Sequence, residues 1–198
     1  MEKKLKLDLI REAQKHLTNN QRDWAHDVTH HYRTVQLARK IARNSLAEVD
    51  NDLLEVVCWW HDVILPNSPD HHSEAAEYTA HYLAKHFEGA PKKKVVDAIT
   101  NHEFGNKPNS TEGQILQDAD KLEVLSSERL RIAVESIEAG YYDREKAIRD
   151  MELIKDKWLD KMPGRYHFDY SRKLHQRRLK KVLPQWHAVL QKITQENV

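Results

Sequence analysis

Apolar residues recur three and four apart along almost the whole chain, a spacing that predicts helices. The first is expected near residues 4–18, where Leu5, Leu9, Ile10, Ala13 and Leu17 share a face. A second runs from about Asp27 to Leu46, with Val28, Tyr32, Val35, Ala38, Ile41 and Ala42 on one side and Asp27 placed as its N-cap. After Asp50-Asn51 comes the most apolar stretch, LLEVVCWWHDVIL, closed by Pro66 and the turn-rich PNSPD. Ser73 is positioned to cap a fourth helix, with Glu74 and Glu77 in its first turn, favourable to the helix dipole. Gly89-Ala90-Pro91 separates it from a fifth that reaches about Glu103. Thr111 and Gln114 form a T-x-x-Q capping box, and one helix is expected from there to Ala139-Gly140. Two more follow near 143–161 and 167–196, divided by Met162-Pro163-Gly164, with Pro184 bending the last.

Alternating β-branched patterns are nearly absent, as are tandem repeats, low-complexity tracts and long linkers. The reading is all-α: a single-domain helical bundle of about eight helices over residues 1–198, with a core at about 20–140 and a C-terminal helical extension at about 141–198.

Composition narrows the function classes. The chain has 198 residues, enough to bury a sizeable core, and carries 32 Lys plus Arg against 31 Asp plus Glu. That balance lacks the basic excess of a nucleic-acid binder, so nucleic acid is not the expected partner. No window approaches the roughly 20 apolar residues a membrane span needs. The amphipathic N-terminal stretch does not read as a signal peptide. With Cys58 as the one cysteine, a reducing, cytoplasmic location is expected. The oligomeric state is not legible. Basic residues cluster late, at Arg172, Lys173, His175, Arg177, Arg178, Lys180 and Lys181; such a run reads first as a solvated helix face. Trp59, Trp60, Trp158 and Trp186 read as packing residues.

Thirteen histidines are the outlying figure, and several sit beside carboxylates. His-Asp occurs at 26–27 and at 61–62. Asp27 has capping work to do. His61-Asp62, however, ends the most apolar helix, where burying an imidazole and a carboxylate is costly without a partner. A divalent cation satisfies both; hydrogen bonds to backbone near a helix C-terminus are the plainer alternative. Downstream, in QDADKLE, Asp120 shares the face of Leu116 and is expected to point toward the core. Asp118 lies about 160° further round and is expected to be exposed or to sit behind the site. Arg33 pairs with a core carboxylate or touches a phosphate.

Together H-x-Y-R, then W-H-D, then D-A-D-K-L resemble the HD-domain superfamily of metal-dependent phosphohydrolases, over roughly residues 25–126. The stretch Tyr170-Ser171-Arg172-Lys173 with Arg177 also resembles the tail helix of its small bacterial members. The resemblance implies metal ligands at His30, His61, Asp62 and Asp120, from separate helices. It selects His30 because the family's ligand stands two residues before Tyr-Arg; His26 and His31 are then expected at the surface or just behind the ligands. Two histidines and two carboxylates suit one divalent ion such as Mn, Fe, Co, Ni, Zn or Mg. His71, His72, His81, His86 and His102 leave room for a second.

The implied reaction is hydrolysis of a phosphate ester or phosphoanhydride by a metal-activated water, on a phosphorylated small molecule, a nucleotide first of all. Glu74 is the first choice for base or water-positioning residue and Asp70 the second. Lys121 is expected to touch substrate phosphate. His102 and Arg33 are further candidates for substrate binding. No HDIGK or GYP segment is present, which argues against the cyclic-dinucleotide branch, and HDVILPNSPD replaces the Glu-Asp pair of alarmone hydrolases. Two other readings stay open: a binuclear iron oxygenase on the same scaffold, and a non-catalytic nucleotide-binding helical domain.

Overall fold

The computed structural model describes residues 1–19, 26–63, 72–103, 105–159 and 161–195, and among them every regular element is helical. In chain order these are α1 (Lys3–Asn19), α2 (Val28–Asn44), α3 (Asn51–Trp60), α4 (His72–Ala84), α5 (Gly89–Thr100), α6 (Thr111–Glu123), α7 (Ser127–Glu138), α8 (Arg144–Leu153) and α9 (Asp169–Gln195). A π-helical turn (Ile154–Leu159) and a 3-10 turn (Met162–Arg165) lie between α8 and α9. The contacts divide the chain into two compact units, one of Met1–Arg22 with His26–Asp120, the other built on Lys121–Val198.

In the first unit, α1 buries Leu9, Ile10, Ala13 and Leu17, as its spacing predicts. Trp60 of α3 donates from Nε1 to the Leu9 carbonyl at 3.0 Å, so its one polar atom is satisfied inside the core. Asp27 is the N-cap of α2, its carboxylate accepting from the His30 N–H at 2.7 Å. The buried stripe of α2 differs from the expected one. It runs through His30, His31, Thr34, Val35, Leu37, Ala38 and Ile41, while Tyr32 is 56% exposed. A stripe ordered by apolar residues alone misplaces Tyr32 because three polar residues occupy the inward positions.

Asp50 caps α3 through Oδ1, which accepts from the Asp52 and Leu53 N–H groups. That helix ends at Trp60, short of Pro66, and His61 follows as its C-cap. α4 begins at His72, so Ser73 stands inside the first turn rather than at the cap. Gly89, Ala90 and Pro91 open α5 instead of separating two helices; Pro91 is tolerated there because first-turn N–H groups have no intrahelical acceptor. α5 stops at Thr100, before Glu103.

The cap of α6 is Ser110, whose Oγ accepts from the Gly113 N–H at 3.2 Å. Thr111 is already helical, and Gln114 donates to the Pro108 carbonyl rather than closing a capping box. Gly113 has a steric reason. A Cβ there would lie 2.8 Å from Pro108 Cβ, 2.9 Å from Ser110 Oγ and 3.1 Å from Ala98 Cα, so a side chain would push α6 off α5. Buried Gln117 donates to the carbonyls of Asn101, Glu103 and Asn106, fixing the chain that leads out of α5.

The expected single helix from 111 to 139 is two. Ser126 interrupts it by adopting extended backbone and capping α7, its side chain accepting from the Arg129 N–H. In the second unit, Leu130, Ile137, Tyr142, Ala147, Met151, Val182, Trp186 and Ile193 make a core shared by α7, α8 and α9. Trp186 donates to the Met151 carbonyl at 3.2 Å. Pro184 lies inside α9, which continues to Gln195. The basic run on α9 is only partly a solvated face. His175 is fully buried against Tyr166, and Arg178 donates to the last carbonyls of α6 at Leu122 and to Leu125. The side chain of Trp158 lies outside the described residues, whereas Trp59, Trp60 and Trp186 are buried as expected.

Candidate metal centre

Four side chains from three helices of the first unit meet at one point. His30 enters from the first turn of α2, His61 and Asp62 from the C-terminal end of α3, and Asp120 from the last turn of α6. One ligand atom from each lies within 4.8 Å of all the others. His30 Nε2 and His61 Nε2 are 3.2 Å apart. Asp120 Oδ1 stands 3.5 Å from His30 Nε2 and 3.7 Å from His61 Nε2, and Asp62 Oδ2 is 3.3 Å from His61 Nε2. Both histidines are 1% exposed and Asp120 7%.

These donors fit a divalent ion. The His61 Nδ1 faces the Cys58 carbonyl at 3.0 Å, which places the ring proton on Nδ1 and leaves Nε2 as a bare lone pair aimed into the cluster. Two imidazole nitrogens facing each other among carboxylates make a ready set of shared ligands for a cation. Separations of 3.2–3.7 Å are what ligand bonds of about 2.0–2.2 Å produce around one cation.

The surroundings set the charge state. Burial opposes ionisation of Asp62, but His61, His102 and His26 together outweigh it and hold the carboxyl well below its ordinary range. His102 Nε2 lies 3.1 Å from Asp62 Oδ1, with its Nδ1 on the Ile99 carbonyl at 2.6 Å. His26 Nε2 lies 3.8 Å from Asp62 Oδ2. His31, expected at the surface or behind the ligands, is fully buried behind them. Burial, then the neighbouring His61 and His30, push its pKa well below the usual imidazole value, so the ring is neutral.

The remaining candidates scatter. Lys121 is buried directly after Asp120, where α6 ends. Arg33 donates to Thr29 Oγ1 one turn back on α2 at 2.7 Å. Glu74 is exposed in the first turn of α4. Asp70 and His71, and the side chains of His72 and Ser73, lie outside the described residues. His81 and His86 are exposed and stand apart from the four-donor group. Asp118 is 1% exposed, which corrects the exposed alternative: with Gln117 and Asp120 flanking it, α6 is buried nearly all round at this point. His26 and His31 were expected at the surface or just behind the ligands, and both lie beside the group, His31 buried and His26 near Asp62. Two signals pointed to them: the i,i+4 spacing of His26 and His30, and the position of His31 directly after His30.

The family comparison agrees with this geometry. The family described as the HD domain matches residues 27–125, half of the chain. No curated protein matches. Among solved structures, a protein from Lactobacillus plantarum is 21% identical with a TM-score of 0.68, covering 99% of this chain and 98% of its own. Bacillus subtilis YpgQ, solved in complex with ADP, is 24% identical with a TM-score of 0.66, covering 96% of this chain and 94% of its own. A predicted HD superfamily hydrolase from an uncultured Thermotogales bacterium is 22% identical with a TM-score of 0.63, covering 96% and 92%. At these identities the likeness is one of fold. Among the described residues, no helix is long and apolar enough to cross a membrane. Family and donor set together support a metal-dependent hydrolase. With its motif residues on the matched segment and its all-helical architecture, the chain belongs to the HD domain family.

Proposed function

We propose that this protein is a phosphohydrolase that uses one divalent ion, held by His30, His61, Asp62 and Asp120, to cleave a phosphate ester or phosphoanhydride of a nucleotide. The convergence of those four donors within 4.8 Å carries the reading. When bound, a divalent ion activates water as a nucleophile and draws charge off a phosphoryl oxygen. The chain's own residues do the rest. The Cys58 carbonyl keeps the proton of His61 on Nδ1, so that Nε2 remains a ligand. The low pKa of Asp62 keeps it an anion at neutral pH.

His102, 3.1 Å from Asp62 Oδ1, orients that carboxylate and is assigned to substrate binding. Lys121 and Arg33 are assigned to substrate phosphate, and Glu74 or Asp70 to the water. Nucleotide preference draws support from YpgQ, a protein of similar fold solved with ADP. Release of phosphate from a panel of nucleotides and simple phosphate esters, assayed with Mn²⁺, Mg²⁺, Co²⁺ and Ni²⁺, tests the proposal. Turnover should require the ion and fall by at least about 10³-fold in Asp62→Ala, the scale of losing a major electrostatic group. Tight nucleotide binding without turnover across all four ions would refute it in favour of a binding domain; oxygen consumption with two irons per chain would refute it in favour of an oxygenase.

A further inference from the structure

His31 is absent from the ligand group, yet it is among the most enclosed polar side chains in the first unit, with no measurable exposure. Its ring stacks on Trp59 with the planes 6° apart and the centroids at 6.3 Å. On its other sides lie the His61 ring, 4.6 Å away, and the His30 ring, 5.2 Å away edge-on. Nδ1 meets the Cys58 carbonyl at 3.2 Å, the same oxygen that His61 Nδ1 meets at 3.0 Å. Nε2 is buried with no hydrogen-bond partner. A proton on Nδ1 therefore satisfies the ring's donor and leaves only an acceptor unpaired, the cheaper of the two deficits.

Cys58 belongs to the last turn of α3, where carbonyls lack helical N–H partners. A carbonyl oxygen has two lone pairs, so it accepts both histidines at once. One donor, His61, is on its own helix; the other comes from α2, from the residue next to His30. We infer that His31 is a positioning residue, not a ligand: by donating to the Cys58 carbonyl and packing between two ligand rings, it ties the start of α2 to the end of α3 and sets His30 against His61. The inference rests on the metal-centre reading above. A site of this kind needs its donors held within about 0.5 Å, and outer hydrogen bonds to metal ligands are typically worth 10–100-fold in affinity.

Co²⁺ titration followed by visible absorbance separates the possibilities in wild type, His31→Phe and His31→Asn. Phe keeps a flat ring on Trp59 but cannot donate; Asn loses the ring but keeps an N–H near the place of Nδ1. Phe should weaken Co²⁺ binding about 10–100-fold and alter the absorption bands, and Asn should recover much of the affinity. Wild-type affinity in His31→Phe, or equal weakness in both variants, overturns the positioning role while leaving the metal centre intact. Failure of the wild type to bind Co²⁺ overturns both. Should neither variant fold, histidine ¹⁵N spectra of the Zn²⁺-loaded wild type decide: a proton on Nδ1 of His31 and a bare, unliganded Nε2 support the assignment, and a protonated or metal-bound Nε2 refutes it.

Discussion

Asp97 shows how single side chains hold the approach to α6. It accepts from the Asn109 N–H at 3.0 Å and the Ser110 N–H at 2.7 Å, pinning the segment that ends in the α6 cap. Burial opposes its ionisation, but the hydrogen bonds from Asn109 and Ser110 prevail and lower its pKa. A pKa depressed by folding contributes stability above the unfolded value, about 3.9 for Asp, and that contribution fades as pH falls through the folded value. Asp97→Ala should therefore cost about 1–3 kcal/mol at pH 7 and distinctly less near pH 3, compared by urea denaturation of both proteins. A gap that stays constant with pH contradicts this account. Three of the metal-binding candidates were legible at the same scale because each is polar beside an apolar stripe, whereas His30 was selected by the family resemblance alone. His61 and Asp62 follow seven buried residues in ten, and Asp120 shares the face of Leu116. For Asp118 only the exposed alternative failed, because helical angle alone assumes one buried side, whereas this turn of α6 is covered almost completely. His31 was expected at the surface or behind the ligands, and sequence alone left that choice open because its contact is with the Cys58 carbonyl, a backbone atom that no sequence pattern marks.

Helices as elements were legible; their ends were not. One helix was expected from Thr111 to Ala139-Gly140, but Ser126, inside the polar stretch Ser126-Ser127-Glu128-Arg129, caps a second. Thr111 was expected to open α6, but the adjacent Ser110 caps it, its Oγ accepting from the Gly113 N–H. The placement of α6 matters most, since it brings Asp120 to the histidines. Gly113→Ala tests it: the new Cβ meets Pro108 and Ser110 below 3.0 Å and the Ala98 backbone at 3.1 Å. Overpacking of this kind costs about 1–3 kcal/mol. The melting temperature should drop by several degrees, and metal affinity should fall with it. A variant that melts as the wild type does would mean that α6 has room to move away from α5.

Across the whole molecule the four donors belong to one compact unit, which ends at Asp120, while α7, α8 and α9 form their own core. A ligand that binds only the folded form stabilises it by about 2.7 kcal/mol at a hundred times its Kd. Metal should accordingly slow amide exchange at the start of α2, the end of α3 and the last turn of α6 far more than in α8. Uniform slowing throughout would argue against a local centre. The most direct test is the Mn²⁺ content after equilibrium dialysis, for the wild type and for His30→Ala, Asp62→Asn and Asp120→Asn. One ion per wild-type chain, lost or weakened by at least about 10-fold in each variant, is the expected result. A wild-type chain that retains no ion, or an Asp120→Asn chain that retains it as tightly as the wild type, would contradict a shared cation at these four residues.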